Sequence, residues 1–275
     1  KKTVEFGKGR KRYYISFGNY EPKTAREKAL FMSVYYALVY YSVKHIDRIL
    51  LTDLMENIGY PKLNNRYGFM EYQKEEVIEI VWNVAKSEIG VSGSSVPSSI
   101  KKLFPEVEKK DIFKMNIFSV NMVKQYSASG HLKNAVILFK PNFDRNLIRF
   151  NRTSEALGLP ISEPEYKNIA IYVVYGRNLS DTHIKKTVRE LLEIGKIDIC
   201  RKNPERTYNK LLFVLEQLRT DKYIEKFDFN PYPYGKRDEE DIEKGMTRRS
   251  EKNWFDKFLD SEVTLIFSEN KKAKR

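Results

Sequence analysis

One order of elements is legible twice in this 275-residue chain: helix, turn, helix, strand, loop, strand. A unit of that kind can bury a core only by packing its helices on its own strands, so the repeat limits the fold to two small mixed domains in tandem. In the first copy Thr52 is the expected N-cap of a helix with Leu54, Met55 and Ile58 inward, and Gly59 is its expected left-handed stop. A polar turn from Pro61 to Arg66 leads to a longer helix, about Gln73 to Ser87, with Val77, Ile80, Val81, Val84 and Ala85 at i, i+3, i+4, i+7 spacing. Two strand-like runs, 111–125 and 135–140, follow around the short loop Gln125–Lys133.

In the second copy a helix is expected from Asp181 to Ile194, with Ile184, Val188, Leu191 and Leu192 inward and Gly195 as its stop. After the turn Lys196–Lys202, Asn203 reads as N-cap and Pro204 as N1 of a helix to Arg219 that buries Tyr208, Leu211, Leu212, Leu215 and Leu218. Ile224–Phe229 alternates as a strand. A long loop with Pro231, Pro233 and Gly235 comes next, then a short helix around Trp254, Phe255 and Phe258, and Val263–Phe267 closes the unit as a strand.

The flanks complete the expected architecture. Residues 3–18 read as a hairpin around Gly7-Lys8-Gly9. A helix with a broad apolar face runs from near Pro22 to Val43, residues 91–110 are a loop or insert broken by Gly and Pro, and 166–175 reads as a connecting helix or a buried strand, the repeat favouring the helix. The fold class is therefore mainly α, α+β: two tandem winged-helix domains with an N-terminal β-hairpin arm. The expected boundaries are 1–24 for the basic hairpin arm, 25–155 for the first winged-helix domain, 156–270 for the connecting helix and second winged-helix domain, and 271–275 for a basic tail.

Composition removes several classes. With 41% hydrophobic and 13% aromatic residues the chain is too apolar to be disordered despite 32% charged residues. The single Cys200 excludes a disulfide scaffold or a cysteine-rich metal site, and His45, His131 and His183 are far apart in sequence, so no metal or cofactor is expected. No apolar run approaches the ~20 residues that span a bilayer, and Lys-Lys-Thr-Val-Glu-Phe does not read as a signal peptide. A cytoplasmic, nucleoid-associated protein is expected, with no membrane partner.

The formal charge of +13 is uneven. Residues 1–28 hold nine basic and three acidic side chains and residues 268–275 four and one, which suits contact with a polyanion. The sharpest local element is Arg201-Lys202-Asn203-Pro204-Glu205-Arg206-Thr207-Tyr208-Asn209-Lys210. If Pro204 opens a recognition helix, its first turns carry Arg206, Thr207 and Lys210 toward the major groove, with Asn209, Arg201 and Lys202 beside them. The equivalent turn of the first copy offers Asn65, Arg66 and Lys74. Arg10, Lys11 and Arg12 are expected on phosphates or in a minor groove, and Lys236 and Arg237 on the second wing. Double-stranded DNA is the expected partner.

This order of elements, best seen in Val188–Gly195, Asn203–Leu218 and Ile224–Phe229, resembles the bacterial plasmid replication initiators built from two winged-helix domains. The resemblance covers residues 25–267 and is one of layout; the insert 91–110 and the loop 230–253 depart from the compact wings of that group. It implies binding of repeated origin sites by both domains, dimerisation through the first, and contacts with replication proteins. Three other functions share the layout or the composition: a winged-helix transcription regulator, a protein-interaction module of a nucleic-acid-processing complex, and a metal-dependent nuclease that uses Asp144 with Glu165-Tyr166-Lys167. Otherwise no enzyme motif is present, and no catalytic residue is expected.

Overall fold

The structure is a computed structural model that describes residues 3–6, 13–16, 20–62, 68–92, 112–142, 158–175, 182–230 and 254–267. The chain forms two compact units: residues 1–23 with 30–162, and residues 24–29 with 163–275. Each is a mixed α+β unit with a winged-helix-like order of elements.

Helix α1 (Ala25–Val43), whose residues from Leu30 on belong to unit 1, starts at a capping box: Glu27 N donates to Thr24 Oγ1 at 3.1 Å and Thr24 N to Glu27 Oε2 at 3.4 Å. Leu30, Phe31, Val34, Tyr35, Leu38 and Val39 are all buried, so the helix is covered on more than one side, as its broad apolar face predicts. Then come β3 (Arg48–Leu50), α2 (Leu51–Asn57), α3 (Glu71–Ala85), β6 (Phe118–Tyr126) and β7 (Leu132–Pro141), with an antiparallel sheet in the order β3-β7-β6. Leu51, Leu54, Met55 and Ile58 from α2, Val77, Val81 and Val84 from α3, and Ala135, Ile137 and Phe139 from β7 make the core.

Unit 2 repeats this order: α4 (Pro164–Tyr175), β8 (His183–Thr187), α5 (Val188–Gly195), α6 (Pro204–Thr220), β9 (Lys226–Asn230), α7 (Trp254–Asp260) and β10 (Glu262–Ile266), with sheet order β8-β10-β9. In both units a short strand leads directly into the second helix and pairs with the last strand, so the middle strand of each sheet is the last in sequence. Val188, Leu191, Leu211, Val214, Leu215, Leu218, Phe258, Val263 and Leu265 fill the core.

Four local expectations are revised. Residues 182–187 do not begin the helix expected from Asp181: His183–Thr187 is strand β8, and Thr187 caps α5 through Glu190 N at 3.2 Å, while Thr187 N donates to Glu190 Oε2 at 2.8 Å. Thr52 is inside α2 rather than at its cap; its N–H donates to Asn134 Oδ1 at 3.3 Å, so a side chain from β7 serves the helix start. The run 111–125 is two strands. Ile117 is buried and its N–H donates to Ser87 O at 2.8 Å, outside the ladder, so the chain changes sheets between β5 (Ile112–Asn116) and β6. The hairpin strands β1 (Thr3–Phe6) and β2 (Tyr13–Ser16) pair as expected, but β2 also pairs with β4 (Glu88–Ser92) and β4 with β5. The hairpin is thus the edge of a four-stranded antiparallel sheet rather than a separate arm.

Two glycines act as their positions require. Gly59 has φ +65 after the C-cap of α2, and a Cβ there would collide with the carbonyls of Gly158 and Leu159, whose segment returns to donate Ile161 N to Gly59 O at 3.1 Å. Gly195 is buried, and a Cβ would meet Ile169 at 3.1 Å; the left-handed residue that ends α5 is the next one, Lys196, at φ 57.

Candidate nucleic-acid interface

In unit 2, α6 takes the recognition position, the third helix of the repeat, and the turn before it is held by a buried side chain. Thr207 is 1% exposed; its hydroxyl accepts from Cys200 N at 2.9 Å and donates to Asp198 O at 3.0 Å. This corrects the expectation that Thr207 faces a groove: its hydroxyl turns inward and ties the backbone of the preceding turn to the helix. Asn203 is the N-cap and Pro204 sits at the helix start as predicted, although the Asn203 side chain makes no capping bond.

The outward stripe of α6 is Arg206, Asn209, Lys210 and Phe213, all exposed. At about 100° per residue, Arg206 and Phe213 lie within roughly 20° of each other around the helix, with Asn209 and Lys210 on either side. The Arg206, Asn209 and Lys202 side chains have no hydrogen-bond or ion-pair partner among the described residues. Lys210 Nζ lies 3.4 Å from Glu165 Oε2, and Arg201 Nη1 lies 3.2 Å from Asp256 Oδ1. The Arg201 pair is solvent-exposed and the Lys210 pair is exposed on the lysine side, so both cations can exchange their partner for another anion. Arg201, Lys202, Arg206, Asn209 and Lys210 therefore share one turn-and-helix surface, and of the α6 candidates only Thr207 leaves it.

The equivalent helix of unit 1 is built on the same device with a different face. Gln73 is 4% exposed; its Nε2 donates to Pro61 O at 3.0 Å and its Oε1 accepts from Met70 N at 2.8 Å, tying the preceding turn to α3. Glu71 and Lys74 turn toward the wing. Glu71 Oε1 accepts from Leu132 N at 2.7 Å, its Oε2 lies 2.9 Å from His131 Nδ1, and Lys74 Nζ donates to Leu132 O at 3.2 Å. The backbone N–H of Leu132, then His131, hold the Glu71 carboxyl below its usual pKa. Lys74 is thus a clamp on the β6–β7 wing, which corrects its expected place in a groove. The outward stripe of α3 is Tyr72, Glu75, Glu79 and Trp82, with Tyr72 60% and Trp82 38% exposed. Sequence reasoning missed this stripe and Phe213, although the same helical spacing that located the core residues also locates both.

The remaining candidates divide as follows. Arg10, Lys11, Arg12, Asn65, Arg66, Lys236, Arg237 and Asp144 lie outside the described residues. Glu165 and Lys167 are on helix α4, not on the adjacent strands a nuclease core needs, and Lys167 is wholly buried, its pKa lowered to about 7 by burial. Among the described residues no group of three or more His, Cys, Asp or Glu side chains is placed to hold a metal ion. No described helix is long and apolar enough to cross a membrane.

No family model matches the sequence, and no curated protein matches it. The structure is similar to a solved one described as the crystal structure of selenomethionine derivatives of domain 2 and domain 3 of RctB, at 11% sequence identity and a TM-score of 0.46, over 98% of this chain and 91% of that chain.

Proposed function

We propose that this chain is a sequence-specific double-stranded DNA-binding protein, a replication initiator of a plasmid or mobile element, and that unit 2 carries the base-reading helix. The observation that carries the reading is the outward stripe of α6. Arg206 and Asn209 have side chains unengaged by described residues, Lys210 and Arg201 are held by one ion pair each, and all four belong to the first turns of the helix and the turn before it. Recognition helices present their N-terminal residues to base edges, Arg pairs with guanine O6 and N7, and Asn pairs with adenine N6 and N7. Lys202 and Arg201 at the turn suit phosphates, which position a helix without reading sequence. The net charge of +13 supplies long-range attraction to a polyanion. The initiator reading rests on the doubled unit: a unit with a base-reading face beside a second of the same order of elements and a different face suits a protein that binds a site and joins another molecule there.

Selection of binders from a random duplex pool at two salt concentrations tests this. An enriched motif whose affinity falls with salt is expected. A pool that never converges, with binding that vanishes as salt rises, would leave only nonspecific charge.

A second reading is favoured for unit 1 by its own surface. The α3 stripe is acidic and aromatic, and the open face of its sheet exposes Leu50, Val123 and Leu138. We infer that unit 1 meets protein, either a second copy of the chain or a replication protein, rather than the major groove.

A further inference from the structure

Phe213 is 55% exposed in the middle of a long helix whose other face supplies the core of unit 2. An aromatic side chain left in water forgoes the burial that Leu211 and Leu215, beside it in sequence, obtain. It lies on the line of Arg206, two turns further along, and is flanked on its N-terminal side by Asn209 and Lys210. An exposed apolar ring at the end of a row of cationic and amide side chains matches a surface that is apolar at one point and anionic beside it. The major groove is such a surface at thymine, whose C5-methyl group stands among acceptor edges and between two phosphate rows.

We propose that Phe213 is a specificity-determining residue that packs on the C5-methyl group of a thymine in the bound duplex. This rests on the DNA-reading role of α6 and specifies the ligand of that surface: a site with a guanine for Arg206 and a thymine further along the groove. The separation follows from helix geometry. Seven residues advance ~10 Å along α6. That is about three base-pair steps when the helix lies along the groove. Asn209 and Lys210 then fall over the intervening pairs.

The experiment uses the full chain and the duplex it selects. Each thymine of the selected motif is replaced in turn by uracil, which removes only the methyl group, and affinity is measured for the wild type, Phe213→Ala and Phe213→Leu. In the wild type, one uracil position is expected to weaken binding about fourfold, the value of one buried methyl group. Phe213→Ala should lose that penalty, so that thymine and uracil bind alike, and Phe213→Leu should keep most of it. Because Phe213 is exposed, Phe213→Ala is expected to fold and to keep the guanine preference. A selected motif in which no uracil carries a penalty, or in which the penalty is the same in Phe213→Ala, overturns the assignment while leaving DNA reading by α6 intact. Failure to select any motif overturns both, and the two failures are distinct.

Discussion

Helices α3 and α6 occupy the same place in the same order of elements, and the difference between them lies in what faces outward. Both are entered through a turn pinned by a buried polar side chain near the helix start, Gln73 in unit 1 and Thr207 in unit 2. Both bury a stripe of aliphatic residues in the core of a unit that holds a three-stranded sheet. Outward, α3 shows Tyr72, Glu75, Glu79 and Trp82, whereas α6 shows Arg206, Asn209, Lys210 and Phe213. Carboxylates facing a phosphate backbone are repelled, and cations release its counterions, so the two faces suit different partners. The inward residues thus account for the shared fold, and the outward residues carry the proposed division of labour between the units.

Core substitutions should ignore this division. Leu54→Ala in unit 1 and Leu191→Ala in unit 2 each remove a wholly buried core side chain. Each should cost about 2–5 kcal/mol in denaturant unfolding. A large inequality between them would show that one unit depends on the other for its stability.

The units differ inside as well, because only unit 2 has a described lysine in its core. Lys167 is held near 7 in the folded chain against an ordinary 10.5. Between those values the unfolded chain binds the extra proton, so stability should rise as pH rises from about 7 toward 10, by roughly 3 kcal/mol. Lys167→Met should flatten that rise. An unfolding free energy as dependent on pH in the variant as in the wild type would refute it.

The turn staples should behave alike. Thr207→Val strands the Cys200 N–H and Asp198 carbonyl, and Gln73→Leu strands the Pro61 carbonyl and Met70 N–H. Each is expected to lower stability by about 1–3 kcal/mol, the value of the two hydrogen bonds lost. Hydrogen exchange at Cys200 in the first variant, and at Met70 in the second, should accelerate. Protection unchanged at both amides would mean that the turns are held by packing alone.

The smallest effects concern the outward face of α3. Glu75→Gln together with Glu79→Gln removes two exposed carboxylates and should change stability by less than about 0.5 kcal/mol. DNA affinity should stay level or rise slightly, as repulsion is relieved. A loss of specific DNA binding in this variant would place α3 in the groove and erase the contrast with α6.

Much of the fold was legible because helical periodicity and turn chemistry report on inward residues. The apolar spacing of Val77–Ala85, the Asn203-Pro204 start and the Gly59 stop all mark real elements, displaced by a residue or two. The errors came where pairing partners distant in sequence decide. His183–Thr187 reads as the first turn of a helix until β10 pairs with it, and Ile117 interrupts a strand only because Ser87 binds its N–H. The site was legible in part. Arg206, Asn209 and Lys210 share a face that spacing alone predicts, but spacing cannot show that Thr207 turns inward to a backbone amide or that Lys74 reaches the wing. Both depend on where another loop passes.

Motif selection carried out in parallel on the wild type, on Arg206→Ala and on the Glu75→Gln, Glu79→Gln variant tests the division of labour most directly. The account predicts one motif for the wild type and for the α3 variant. Arg206→Ala should lose its preference for guanine at a single position, with affinity for the wild-type site down by about 10- to 100-fold. An unchanged motif with Arg206→Ala, or a motif altered by the α3 substitutions, would contradict it.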